Sequence, residues 1–257
     1  MEQGSLVIIA KEINNDILNY YINNSVSIDI FVVSPECTPN IQNKYPSIRF
    51  INDHDILDRS NYKEIEKTNR PNWYYQQFLK YSVVIHLYKE FNYELIHILD
   101  GDSFIRKDIF LNEKIFYTSK NIEEPYKNFI NRLGIKLQDD KNFISNQMCF
   151  RPKYLIEMLD EISNGKNWIS YFLKVIIENK DHEYWFSEYQ LYACYIKHTH
   201  SIEETPLKVF RRLDLIEVPV EAALKKYFVV AKEIHHKRDF LRMIRAYIYY
   251  ILGKNLG

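Results

Sequence analysis

Two aspartates one residue apart, Asp100 and Asp102, close the apolar run of "IHILDGDSFI". Burying carboxylate charge without a partner is costly, so a pair at the end of a buried segment implies positive charge nearby. Carboxylates at this spacing can turn their oxygens toward one point. Hard oxygen donors favour Mg²⁺ or Mn²⁺, and magnesium commonly binds one or two carboxylates together with substrate phosphate oxygens. A divalent cation completed by a diphosphate is one reading, and ordinary Asp-Gly-Asp turn chemistry is the other.

The elements around the pair bear on that choice. Leu6 to Ala10 is a short apolar run, residues from Asp16 onward have helical spacing, and Ile28 to Val33 and Ile48 to Ile51 are apolar again. Such alternation predicts a parallel sheet with crossover helices. The acidic "NDHDIL" that follows reads as a loop. Pro71 suits the first position of a helix through "NWYYQQFLKYSVVIHLY", with Tyr74, Phe78, Tyr81 and Ile85 on one stripe and Trp73, Gln77 and Lys80 on another. Leu95 to Leu99 is then the strand that delivers the aspartates, and ligands of open α/β sheets gather beyond such carboxyl ends. Arg70, Lys80 and the free N–H groups of the helix start could surround a diphosphate, or the two cations are solvated surface charges.

Farther along, "NFISNQMCF" reads as a strand, Pro152 to Ser163, Trp168 to Glu178 and Ser187 to Lys197 as helices, and "YFVVAKEIHH" as a strand running out in His235 and His236. A final helix spans 238–252. Arg238, Arg242 and Arg245 recur at i, i+4 and i+7, and Phe240, Ile244, Tyr247 and Ile251 form an apolar stripe, so this helix is amphipathic with a basic edge. It suits either an anionic membrane surface or the domain's own core.

The 257 residues fit one α/β domain, taken as 1–237 with 238–257 as a helical extension of it. Lys plus Arg (34) equal Asp plus Glu (34), which argues against a nucleic-acid binder. Cys37, Cys149 and Cys194 show no metal or disulfide spacing, so a reducing compartment is expected. With no secretory leader pattern and no long apolar span, the expected location is the cytoplasm, or the inner face of the cell membrane as a peripheral protein.

Taken together, "NRPNWYYQQFLKYSVV", "HILDGDSFI" and "FSEYQLY" resemble a group of bacterial glycosyltransferase-like proteins of the GT-A fold found among polysaccharide biosynthesis genes. The matching residues are Arg70, Trp73, Tyr74, Gln76, Gln77, Lys80, Asp100, Asp102, Phe186, Ser187, Glu188, Tyr189, Leu191 and Tyr192, while Asn72 stands where the group usually has glycine. The resemblance implies a GT-A-like, doubly wound mixed sheet flanked by helices. It further implies transfer of a sugar from a nucleoside diphosphate sugar to a glycan or lipid-linked glycan acceptor, with Mn²⁺ or Mg²⁺ at Asp100 and Asp102. His235 or His236 would add a metal ligand or simply face solvent. Arg70, Trp73, Gln76, Gln77, Lys80 and Asp100 are expected on the donor, and Asn146 and Gln147 either join them there or, as buried amides, satisfy backbone groups. Glu188, behind the good N-cap Ser187, sits in a first helical turn whose dipole favours an ionised carboxylate. It is expected to act catalytically with Asp102, the alternative being a capping charge. A nucleotidyltransferase is the rival enzyme class, although "IIAKEINND" lacks the glycine-rich phosphate loop such an enzyme needs. A non-catalytic nucleotide or glycan binder is the other rival.

Overall fold

The computed structural model describes residues 4–24, 28–178, 185–216, 218–232 and 240–254. Its central sheet holds β1 (Gly4–Ile9), β2 (Asp29–Val33), β3 (Ile48–Ile51), β4 (Leu95–Asp100) and, after three other strands, β8 (Gln147–Phe150). The order is β3-β2-β1-β4-β8, with the first four strands parallel and β8 antiparallel to β4. Strands so enclosed must be apolar on both faces, which is why they read as continuous hydrophobic runs. Along β1, Val7 and Ile9 join one core cluster while Leu6 and Ile8 join the other.

Helix α1 (Asn15–Asn24) covers the second cluster through Ile17, Leu18 and Tyr21. After α2 (Pro39–Lys44) and α3 (Asp53–Ile56), the long α4 (Pro71–Phe91) packs Tyr74, Phe78, Tyr81 and Val84 into the first cluster. Pro71 opens α4 and Asn92, with φ of 56°, ends it in the left-handed region that Asn tolerates. "NDHDIL" is not a loop as expected. Asn52 accepts from the His54 N–H and starts α3, and Asp53 is buried with its Oδ2 taking the Tyr75 hydroxyl at 3.3 Å.

Two small sheets complete the fold. One runs β10 (Val209–Phe210), β11 (Val229–Ala231), β5 (Ser103–Ile105); the other runs β7 (Lys141–Asn142), β6 (Ile115–Asn121), β9 (Glu204–Pro206). Of "NFISNQMCF", therefore, Gln147 onward forms a strand of the central sheet and Asn142 belongs to another sheet. Helices α5 (Glu124–Arg132), α6 (Pro152–Ser163), α7 (Trp168–Glu178) and α8 (Glu188–Thr199) lie on the first cluster's side, and α9 (Val220–Leu224) and α10 (Phe240–Leu252) on the second's. The result is the expected doubly wound mixed sheet flanked by helices, with an amphipathic helix near the C-terminus. The three cysteines are free thiols.

Candidate active site at the ends of β1 and β4

Strand order reverses between β1 and β4, since β2 lies beyond one and β8 beyond the other. That reversal opens a crevice at the carboxyl ends of the two strands. Ile9 of β1 stands opposite Asp100 of β4, and the Gly101 N–H donates to the Ile9 carbonyl at 2.8 Å. A side chain at Gly101 has no room: an added Cβ would lie 2.4 Å from Ala10 Cβ and 2.8 Å from the Ile9 oxygen. Glycine between the aspartates is thus a packing requirement. From the other side the Asp100 N–H donates to the Asn146 carbonyl at 2.9 Å, and the Lys232 N–H beyond β11 donates to the Asp102 carbonyl at 2.9 Å. Three strand ends fix the backbone of the pair.

A cleft of about 600 Å³ opens there, lined by Asp100, Gly101, Asp102, Gln76 and the β1–α1 segment from Ile9 to Asp16. That segment carries no motif, and the position of a loop after the first strand of a doubly wound sheet was the one available signal for it.

Behind Asp100 lies a buried charge cluster. Lys80 Nζ is 2.5 Å from Asp100 Oδ1 and 2.6 Å from Glu188 Oε1, and it sits 4.4 Å from the centre of the Tyr189 ring. The Lys80 and Glu188 side chains are 3% and 1% exposed, against 25% for Asp100. The Gln77 amide donates to the Glu188 carboxylate, the Tyr81 hydroxyl to the Glu188 carbonyl at 2.6 Å, and the Tyr189 hydroxyl to Asp100 Oδ1 at 3.2 Å. The cation implied by the half-buried aspartate is therefore Lys80, which reaches it from the stripe of α4 that sequence alone left open between site and solvent.

Electrostatics here differ from the expectation for Glu188. Burial pushes its carboxyl up to about 7, with Lys80 opposing and Asp100 reinforcing the shift. The helix-end dipole does not decide its ionisation, because a first-turn contribution of about 0.3 to 1 kcal/mol is smaller than the desolvation cost. Burial pulls the Lys80 ammonium downward, yet Asp100 and Glu188 outweigh it and hold its pKa above the ordinary lysine range. The capping part of the expectation holds, since Ser187 Oγ accepts from the Gln190 N–H at 3.5 Å.

The remaining expected residues divide. Gln76 lines the cleft, whereas Gln77 is buried against Glu188. Arg70 and Trp73 form a separate cluster, with the guanidinium 4.4 Å from the Trp73 ring centre and 5.9 Å from that of Trp185. Ten residues of α4, about 15 Å of axis, separate Arg70 from Lys80, so the structure does not gather these two cations around one point. Gln147 Oε1 is 2.6 Å from His97 Nε2, while His97 Nδ1 accepts from the Leu111 N–H at 3.2 Å. Burial lowers that imidazole to about 4, so a neutral ring donates to Gln147, and this amide oxygen is engaged inside the sheet instead of at a ligand. Asn146 has φ of 55°, and its buried Oδ1 finds no hydrogen-bond partner among the described residues. An unmatched buried acceptor beside Asp100 is a feature that concentrates at functional sites.

Among the described residues there is no group of three or more His, Cys, Asp or Glu placed to hold a metal. His235 and His236, expected as metal ligands, lie outside the described residues. The donor set that is present, two carboxylates at a cleft edge, has the hard-oxygen character that Mg²⁺ or Mn²⁺ takes when phosphate oxygens complete the shell. The nearby unmatched Asn146 oxygen is of the same chemical kind.

No family model matches the chain, and no curated protein matches it. Among solved structures, the chain is similar to the galactosyltransferase LgtC in complex with donor and acceptor sugar analogues, at 10% identity and a TM-score of 0.46, over 98% of this chain and 97% of that one. It is also similar to an active-site mutant of LgtC, at 10% identity and a TM-score of 0.41, over 94% and 95% of the two chains. At that identity and score the likeness transfers no residue role and no substrate.

Proposed function

We propose that the chain is a GT-A-like glycosyltransferase that moves a sugar from a nucleoside diphosphate sugar to a glycan acceptor in bacterial surface polysaccharide synthesis, such as capsule, O-antigen or lipooligosaccharide. The observation that carries this reading is the placement of Asp100 and Asp102 at the β1/β4 switch point, open to a cleft on one side and backed by buried Lys80 on the other.

Asp100 and Asp102 would hold the Mn²⁺ or Mg²⁺. When bound, that cation supplies positive charge to the departing diphosphate. Lys80 and Tyr189 fix the Asp100 carboxylate by bonds to its Oδ1, so the group that meets the ligand is oriented before the ligand arrives. Glu188 balances Lys80 from the far side and keeps the ammonium in place. A general base needs a carboxylate open to the acceptor hydroxyl, and the enclosure of Glu188 supports a positioning role for it instead. Gln76 and the β1–α1 segment would line the donor.

Thermal stabilisation against a panel of nucleoside diphosphates, with and without Mn²⁺, tests the reading. A ligand at a hundred times its Kd stabilises the native state by about 2.7 kcal/mol, which for a chain of this size raises Tm by roughly 5 to 10 °C. The stabilisation should need both nucleotide and metal and should vanish in Asp102→Ala. No shift with any nucleoside diphosphate would end the proposal.

A further inference from the structure

Helix α10 packs on the domain with the face opposite to its apolar stripe. Ala246 is buried, and Tyr249 and Tyr250, three and four residues on, pack against the second core cluster, where the Tyr227 hydroxyl and Lys226 Nζ donate to the Tyr249 and Tyr250 carbonyls. At 100° per residue the other side of the helix carries Ile244, Tyr247, Ile248, Ile251 and Leu252, which are 40 to 58% exposed. Ile244, Tyr247 and Ile251 belong to the stripe that the sequence left open between core and membrane, and they face away from the core. Five large apolar side chains along one exposed helix face are far from the scattered exposure that is ordinary.

The surrounding charge has one sign on the helix itself. Residues 240–254 contain no Asp or Glu, while Arg242, Arg245 and Lys254 are exposed on or just after α10 and Lys226 is exposed beside Tyr250. A two-fold contact between copies would set this patch against itself, with no acidic residue on the helix to pair the cations. A surface rich in anionic headgroups supplies the missing charge and takes the apolar face at the same time. The helix is 13 residues and about 20 Å long, too short for a hydrocarbon core of about 30 Å. Among the described residues no helix is long and apolar enough to cross a membrane. It therefore suits the plane of the interface.

We infer that α10 docks the protein on an anionic phospholipid surface by this outward face, a property independent of sugar transfer. Flotation of the full chain with phosphatidylcholine vesicles, with and without phosphatidylglycerol, reads it without turnover. Binding is expected with phosphatidylglycerol at low salt, weakened by salt. Arg242 falls on the packed side, between Ala246 and Tyr249, whereas Arg245 flanks the outward face and Lys254 follows the helix, both exposed. A cation near such a surface contributes about fivefold in affinity, so Arg245→Ala with Lys254→Ala should weaken binding about thirtyfold. Tyr247→Ser with Ile251→Ser should weaken it about a hundredfold or more, and unchanged far-UV circular dichroism and Tm would show these exposed positions spare the fold. The inference is overturned if the wild type does not float with phosphatidylglycerol, if it floats equally with neutral vesicles, or if neither double variant loses affinity. It is also overturned if sedimentation velocity shows a dimer that Tyr247→Ser with Ile251→Ser dissociates and vesicles do not bind.

Discussion

Glu188→Gln keeps the side chain's shape and removes the one group of the Lys80 cluster whose carboxyl is pushed up to about 7 by burial. An unfolded glutamate titrates near 4.5. Between those values the folded protein holds a proton that the unfolded chain has released, so stability falls as pH rises. This contribution is fully present below about 4.5 and is lost as pH passes 7. The interval, 7 minus 4.5, corresponds to about 3 kcal/mol at 1.36 kcal/mol per unit, most of it between pH 5 and pH 8. Urea denaturation of wild type and Glu188→Gln in chelator, at pH 5, 6, 7 and 8, isolates it. Wild type should lose roughly 2 to 3 kcal/mol relative to the variant across that series. Parallel pH dependences would refute the reasoning: they would mean that Lys80, at 2.6 Å, holds Glu188 ionised in the fold and that ion pairing outweighs burial. A transfer rate that survives in Glu188→Gln, with nucleotide binding near wild type, would support the positioning role. A fall of about a hundredfold at unchanged binding would restore a direct catalytic one.

Three other outcomes follow from the same geometry. Lys80→Met leaves two carboxylates without their shared counter-charge and should cost about 3 to 5 kcal/mol in urea denaturation at pH 8; a loss under 1 kcal/mol would show that the cluster does not hold the site together. Gly101→Ala should lower stability by about 1 to 3 kcal/mol or more, because its methyl meets Ala10 and the Ile9 carbonyl, and a Tm equal to wild type would contradict that packing. Asp102→Ala, and chelation of the wild type, should each nearly abolish transfer; full activity of the variant in chelator would remove the metal from the mechanism.

The amino-acid sequence by itself determined the parallel strands of the central sheet and the bounds of several helices, though not α3, α5 or the small sheet of β6, β7 and β9. Apolar runs on both faces of β1, β2 and β4 and the helical spacing after Pro71 are local properties, and so are the Ser187 cap and the bounds of α6 and α7. A strand that must be buried on both sides has few residue types to choose from, so its position, and with it that of Asp100, is visible in one dimension. Local pattern could not say which way a polar stripe faces. Lys80 read equally as a site cation or a solvated surface charge and Gln77 as a donor contact, and only tertiary structure turned both inward, because their partners lie elsewhere: Asp100 is 20 residues from Lys80 and Glu188 is 108. The same holds for Gln147, engaged by His97 across the sheet, for Asp53, taken up by Tyr75 of α4, and for the β1–α1 segment that lines the cleft. Charge state followed suit: the helix-end dipole at Glu188 is written in neighbouring residues, but the desolvation that overrides it comes from packing around the whole side chain, which exists only once the chain has closed on itself.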